Sequence, residues 1–289
     1  MNGILLIDKP PDWTSHDVVA KLRGVLHEKR AGHSGTLDPM ATGLLAVFFG
    51  RATRAVQFAE NDEKEYLAAL RLGTVTDTLD ITGRIVSSYT PDVALSELDA
   101  LLPRFIGEQE QLPPMYSAIK VNGAPLYKAA RAGREVERKP RKITIFELER
   151  VGELSGDPLL RVRCSKGTYI RSLADDIGRA LGCGACLSYL RRTRAGAFSV
   201  DEAAPLESVY DLAARGKAES LLRPVDTLFS ALPSLELTEN QERVIRNGGS
   251  FSTPLADGDY RVYSKSGEFL ALGSAADGRM KSVKSFFEV

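Results

Sequence analysis

"AGHSGTLDPMATGLL", residues 31–45, places one carboxylate, Asp38, between a glycine-punctuated turn and a proline, just ahead of an apolar run. Gly35 and Gly43 permit tight turns of the backbone, and Pro39 pushes Asp38 towards an extended conformation. The run "GLLAVFFG" at 43–50 has the length and composition of a buried strand. The local reading is therefore a shaped loop feeding a buried strand. Most aspartates in such loops cap or turn the chain, so a chemical role for Asp38 has to be argued from the rest of the sequence.

On either side of this loop the hydrophobic periodicity alternates between strand and helix. "GILLIDKP" at 3–10 reads as a strand ending in a turn, and "TSHDVVAKLRGVLH" at 14–27 as a helix with a Thr/Ser start. "TRAVQFAEND" suggests a short helix, "KEYLAALRLG" at 64–73 a strand, and "TVTDTLDITG" a polar, turn-rich loop. "ALSELDALLPRFIG" at 94–107 predicts an amphipathic helix ended by Gly107. "YSAIKVNG", "RKITIFELERV", "LLRVRCSKG" and "LSYLRRTRAGAF" predict strands, and "TYIRSLADDIGRALG" at 168–182 a capped helix closed by Gly182. Many strands with scattered helices, and no regular βαβ rhythm, predict an α+β fold with a mixed or antiparallel sheet.

The texture changes near residue 224. "RPVDTLFSALPSLELT" reads as a connecting segment, and residues 235–289 as a compact β-rich module with one short helix. The expected organisation is one domain over residues 1–228 and a second over 235–289.

The chain has 289 residues, 43% hydrophobic and 26% charged, which is the composition of an ordinary globular protein. No apolar run approaches the length that spans a bilayer. The first residues, "MNGILLIDKPPDW", lack the basic region of a signal peptide, so the expectation is a cytoplasmic protein with no membrane attachment. Three cysteines form no disulfide framework. Cys183 and Cys186 make a C-x-x-C, "CGAC", but no histidine follows them to complete a metal set, so buried thiols are the expectation.

The net charge is zero, yet the charge is segregated. Residues 128–142, "KAARAGREVERKPRK", hold seven Lys/Arg against two Glu, and residues 161–194 hold eight Lys/Arg against two Asp. A neutral protein can gather such segments into a basic face suited to phosphate backbones. The same segments can equally be a solvated face of internal ion pairs.

Five stretches in order, "LLIDKP" (5–10), "AGHSGTLDPMATGLL" (31–45), "KEYLAALRLGTVTDTLDITG" (64–83), "PPMYSAIKVNG" (113–123) and "CSKGTYIRSLADDIG" (164–178), resemble the signatures of the TruB family of tRNA pseudouridine synthases. The likeness covers residues 3 to 200. The C-terminal module more weakly resembles that family's PUA-type RNA-binding domain, and the chain looks like the bacterial, stand-alone type. The resemblance implies a pseudouridine-synthase-like catalytic domain that isomerises uridine to pseudouridine at position 55, in the T loop of tRNA. It implies no cofactor, no metal, no obligate protein partner and a monomer, with the T stem-loop of tRNA as the partner.

The family's catalytic aspartate falls on Asp38, and its partner cation on Arg171 of "TYIRS". A base stacked over a carboxylate tends to neutralise it by desolvation, and an adjacent Arg typically lowers a carboxyl pKa by about 1–3 units. By resemblance, Tyr66 lies against the flipped uridine and assists proton removal, while Tyr169 and Leu190 complete the pocket wall. His33 fills the space left by the extruded base. Lys9 and Pro10 buttress the Asp38 loop, and Asp80 has a supporting role. The insertion at about 124–142 closes over the RNA, with Lys128, Arg131, Arg134, Arg138, Lys139, Arg141 and Lys142 on the backbone phosphates.

Two competing functions fit parts of this pattern. A non-catalytic protein that binds and folds tRNA needs the basic segments but not Asp38. A base-excising glycosidase uses an aspartate but releases free base. "GHSGTLDPMATG" lacks the Gly-Lys-Ser/Thr ending of a phosphate loop, which excludes a P-loop ATPase. The residues leave open whether Asp38 attacks C1′ of the ribose, attacks C6 of the base, or acts as a base that generates a glycal.

Overall fold

The computed structural model describes residues 1–60, 63–117, 119–121, 124–134 and 136–288. The elements that position the Asp38 loop are β1 (Gly3–Lys9), α1 (Ser15–Val25), β2 (Thr42–Phe49), β3 (Lys64–Leu72), β4 (Gly107–Gln111), β5 (Arg141–Leu154), β6 (Asp157–Cys164), α2 (Ile170–Ala180) and β7 (Ala185–Ala195). Among the described residues, ten strands form one mixed sheet. Its order is Ala204–Pro205, β1, β2, β7, β3, β6, β5, β4, with Ala31–His33 added to β2 and Phe198–Ser199 to β7. This is the predicted α+β architecture.

β7 joins two halves of the sheet. It runs antiparallel to β3 along nearly its whole length, but meets β2 in parallel only at Arg191↔Thr42 and Arg192↔Gly43. Gly43 makes that short contact possible. Its φ is +96°, and a Cβ there would lie 2.3 Å from the Arg192 carbonyl oxygen, so only glycine fits.

The apolar run after Asp38 is unbroken because both faces of β2 are covered. Leu45, Val47 and Phe49 join Leu5 and Ile7 of β1 against Val18, Val19 and Leu22 of α1. Leu44, Ala46 and Phe48, with Ile4 and Leu6, face the opposite way. α1 starts as its sequence predicts: Thr14 and Asp17 form a reciprocal capping box.

The C-terminal module comprises β8 (Ser234–Glu236), α3 (Glu239–Arg246), β9 (Ser250–Ser252), β10 (Gly258–Tyr263), β11 (Phe269–Ala276) and β12 (Arg279–Ser285). Its sheet order is β8-β10-β11-β12-β9, around a core that includes Val262, Leu270, Met280 and Phe287. The module is docked rather than tethered. Phe229 and Phe286 are buried in the same cluster as Phe48 and Ala55, and Phe229 meets Phe58 edge-on at 5.4 Å between ring centroids. Arg54 donates to the Ser285 carbonyl at 3.0 Å, Arg51 pairs with Glu288, and the Tyr263 hydroxyl donates to Asp226 at 2.6 Å.

Several expectations are corrected. The helix predicted over 94–107 is α-helical only over Leu95–Leu101, because Pro103 tightens the remainder into a 3₁₀ turn at Leu102–Phe105. Gly107 opens β4 instead of closing the helix. Within the strand predicted over 116–123, Lys120–Val121 is strand and Tyr116 and Ser117 are not, while residues 118, 122 and 123 lie outside the described residues. "TVTDTLDITG" is not wholly loop, since Thr74–Thr76 pairs with Ile85–Ser88. The segment read as a connector contains Val225 and Phe229, both in the shared core. α2 is not capped by its own Tyr169 side chain.

Candidate active site

Two buried side chains fasten the backbone on either side of Asp38. The Lys9 ammonium, 0% exposed at the end of β1, donates to the carbonyls of Pro10 (2.8 Å), Trp13 (2.5 Å) and Pro39 (3.1 Å). Ser15, the first residue of α1, accepts from the Leu37 N–H at 2.8 Å and donates to the Leu37 carbonyl at 3.2 Å. The Asp12 N–H adds a bond to the Pro39 carbonyl at 2.9 Å. Burial pulls the Lys9 ammonium down to about 8, against the opposing pull of Asp12 and Asp38. Lys9 and Pro10 thus lie beneath the Asp38 loop and are tied to it through Pro39.

Arg171 reaches Asp38 from the first turn of α2. Its Nε and Nη2 donate to the two carboxylate oxygens at 2.8 and 2.9 Å, a bidentate grip that suits the planar guanidinium. Nη1 donates to the Thr78 carbonyl at 3.0 Å, and Nη2 also donates to the Tyr116 carbonyl at 2.8 Å. The Arg171 side chain is 4% exposed, whereas that of Asp38 is 33% exposed. The pair therefore presents a carboxylate to the outside and hides its cation.

Asp80 stands behind this pair, with one carboxylate oxygen 3.7 Å from Arg171 Nε. Its other oxygen accepts from the hydroxyls of Thr78 (2.9 Å) and Thr82 (2.5 Å) and from the Thr82 N–H (3.0 Å). Leu79 takes a left-handed conformation, φ +64°, and the loop is stitched to β7 through Leu187. One guanidinium is thereby set between two carboxylates.

Tyr66 on β3 and Leu190 on β7 are buried in one cluster with Leu37 and Ala41 of the Asp38 loop. Burial raises the Tyr66 phenol pKa, with the charge of Arg192 opposing it, so the ring is a neutral phenol. Tyr169 precedes α2; its N–H donates to Gln111 Oε1 at 2.8 Å and its carbonyl accepts from Gln111 Nε2 at 3.1 Å. Burial raises its phenol pKa too. His33 lies at the end of the short strand Ala31–His33 beside β2. Burial and the nearby Arg192 charge lower its imidazole pKa.

The two basic segments differ. In 161–194, Arg161 pairs with Glu149, Arg163 with Glu63 and Glu147, Arg179 with Asp175, and Arg191 with Asp8. That segment is largely neutralised within the fold, contrary to one continuous basic face. In 128–142, none of Arg134, Arg138, Lys139, Arg141 and Lys142 has a carboxylate partner among the described residues. Arg138 donates to the Pro113 carbonyl at 3.0 Å. Arg141 and Lys142 belong to β5, opposite Gln111 and Glu110 of β4, so the insertion stops short of them. The side chains of Lys128 and Arg131 lie outside the described residues.

A cavity of about 420 Å³ lies away from Asp38, between the two modules, lined by Arg51, Arg223, Asp226, Phe269 and Phe286 among others. All three cysteines are free and buried. Burial pushes the Cys164 thiol up to about 12 and that of Cys186 up to about 11, which makes them poor nucleophiles. Among the described residues, no group of three or more His, Cys, Asp or Glu is arranged to hold a metal ion. No helix among them is long and apolar enough to cross a membrane.

Residues 23–170 match the family model described as TruB family pseudouridylate synthase (N terminal domain), and residues 171–230 that of the tRNA pseudouridylate synthase B C-terminal domain. These matches define the class, a pseudouridylate synthase. A "tRNA pseudouridine synthase B" of Azoarcus sp. is 44% identical over 97% of this chain and 93% of its own. Another, of Francisella philomiragia subsp. philomiragia, is 42% identical over 99% and 95%. The chain belongs to the TruB family. Among solved structures it is similar to a chain of an H/ACA RNP bound to a substrate RNA containing 2'-deoxyuridine, with TM-score 0.76 and 26% identity over 99% of this chain and 85% of that one. A Cbf5-Nop10-Gar1 complex gives TM-score 0.76 and 28% identity over the same shares.

Sequence reasoning missed Ser15, Gln111, Thr78 and Arg192 as parts of this site. Ser15 reads as a helix start, and Gln111 lies in a stretch to which the sequence assigns no element, because their partners are backbone groups far along the chain. Arg192 had a usable signal: it lies two residues after Leu190 in one strand, so both face the same side.

Proposed function

We propose that this chain isomerises a uridine of tRNA to pseudouridine at position 55 in the T loop, with Asp38 as the catalytic carboxylate. The observation that carries this reading is the Asp38–Arg171 pair, with both carboxylate oxygens held and the group still open to the outside. The reaction breaks the bond from C1′ to N1 and forms one from C1′ to C5; N1 gains a proton and C5 loses one. Nothing is oxidised or hydrolysed.

A target base stacked in a folded loop has to leave the stack first, at a cost of a few kcal/mol. Tyr66, Tyr169 and Leu190 supply aromatic and apolar surface beside Asp38, and stacking on an aromatic ring offsets about 1–3 kcal/mol per base. As a neutral phenol, Tyr66 stacks on the base and donates a hydrogen bond; it takes up a proton only once ionised. His33 supports the extruded conformation from the edge of β2. The cations of 128–142, among them Arg134, Arg138, Lys139, Arg141 and Lys142 with no carboxylate partner among the described residues, hold the RNA backbone, and the C-terminal module adds RNA-binding surface.

The test uses tRNA carrying tritium at C5 of its uridines. The wild-type chain is expected to release about one equivalent per tRNA, because one C5 hydrogen is expelled per isomerisation. Asp38→Asn is expected to bind tRNA and release none. No release from either protein, with binding intact, would leave a tRNA-folding role; free uracil among the products would identify a glycosidase.

A further inference from the structure

Arg192, 1% exposed, is the largest fully buried side chain among the described residues. Among the described residues no carboxylate pairs with it. Its Nε donates to the Leu44 carbonyl at 2.7 Å and its Nη2 to the Gly35 carbonyl at 3.2 Å. Those two carbonyls stand at the two ends of the loop that carries Asp38. A guanidinium in an apolar interior is costly without a counter-ion, and an apolar side chain of similar volume would avoid that cost.

The surroundings are fitted to this one group. Gly35 has φ +81°, and a Cβ there would come within 3.3 Å of Arg192 Nη1. Gly43 has no side chain where the Arg192 backbone crosses it. Arg192 is also the Cα partner of Tyr66 on β3 and of Gly43 on β2, at the point where the halves of the sheet meet. Its charge acts on both Tyr66 and His33. Lys9, the other fully buried cation, holds the same loop from beneath through Pro39.

We propose that Arg192 is a positioning residue for the reaction: by bridging the Gly35 and Leu44 carbonyls it fixes the Asp38 loop in register with Tyr66. The assignment rests on the reading of Asp38 as the catalytic carboxylate. Arg171 holds the carboxylate itself, whereas Arg192 holds the backbone frame from which it projects.

The test compares wild type, Arg192→Lys and Arg192→Met in single-turnover tritium release, in tRNA affinity and in melting temperature. Lysine keeps the charge but has one donor centre in place of the fork. Displacement of a reacting group by about 1 Å costs roughly 100-fold in rate. Arg192→Lys is therefore expected to lose about that much in the rate constant, with tRNA affinity within roughly threefold of wild type. The ionisation of Tyr66, read by ultraviolet titration against a Tyr66→Phe control, is expected to move to higher pH in Arg192→Met. A wild-type rate in Arg192→Lys would overturn the proposal. So would a loss of rate that disappears when the variant is assayed well below its melting temperature, which would make Arg192 scaffold only. If Arg192→Met does not fold, Arg192→Lys still decides the matter. Absence of release by wild type would instead sink the proposed function, so the two failures are separable.

Discussion

At the scale of single residues, the grip on Asp38 depends on fork geometry as much as on charge. Arg171 directs its donors to two carboxylate oxygens and two backbone carbonyls. Lysine at 171 would keep the charge but satisfy fewer of these groups, and a charge-assisted bond contributes about 1.5–3 kcal/mol. Arg171→Lys is expected to slow single-turnover isomerisation about 10–100-fold while leaving tRNA affinity largely intact. Lys9 gives a pH signature. Its ammonium titrates at about 8 in the fold, against an ordinary value of 10.5. Between those values the folded chain binds fewer protons than the unfolded one, so stability rises with pH across the window. Below 8 the buried charge is at its most costly. In urea titrations, wild type is expected to gain on the order of 1–3 kcal/mol relative to Lys9→Met between pH 8 and 10.5. A constant difference would show that burial does not penalise this ammonium. The Asp38 loop was legible because Gly and Pro mark it in sequence, whereas the role expected of Asp38 came from the resemblance to the family. Ser15 was not legible, since its partners are carbonyl and amide groups that sequence does not advertise, and Arg192 was signalled only by sharing a strand face with Leu190.

At the scale of elements, α2 begins with a buried cation in its first turn, where the helix dipole disfavours positive charge. Asp38, Asp80 and the carbonyls of Thr78 and Tyr116 offset that disadvantage, so the helix start and the site depend on one another. The strands were legible wherever an apolar run or alternation extended over eight or more residues, as in β2, β3 and β7. The short piece Thr74–Thr76, read as loop, was not, because it is fixed by pairing rather than by pattern. The basic segments show the same limit: composition shows the charge, and only folding shows which charges are already paired. The cations between 134 and 142 that have no carboxylate partner among the described residues are expected to dominate the salt response of tRNA binding. Removing a single cation–phosphate pair should reduce the slope of log K against log salt by about 0.7–0.9. Glutamine at Arg134, Arg138 and Lys139 together is expected to flatten that slope by about 2–3, measured by filter binding from low to high salt. A slope equal to wild type would remove this segment from the RNA interface.

At the scale of the whole molecule, the C-terminal module shares a core with the first half of the main sheet. Phe229 is the common element, in contact with Phe58 on one side and Phe269 and Phe286 on the other. Phe229→Ala is expected to cost about 3–5 kcal/mol. In calorimetry it should separate the unfolding of the module from that of the main sheet. A single transition at an unchanged temperature would show that Phe229 does not carry the coupling between the modules. The change of texture near residue 224 was legible, but the role of Phe229 was not, because one aromatic in a polar connector has no periodicity to declare its partners.

The order of the sheet also has a consequence for synthesis. β7 occupies the middle of the sheet, yet it follows every other main-sheet strand except the short additions at 198–199 and 204–205. Asp38 and the cation that grips it are 133 residues apart. A ribosome adds roughly 5–20 residues each second, so for several seconds the emerging chain has Asp38 but neither Arg171 nor Arg192. Until β7 has emerged, the two halves of the sheet have no strand between them. If Asp38 is the catalytic carboxylate, the growing polypeptide is expected to be chemically silent towards RNA and to acquire its activity together with the strand that closes its centre.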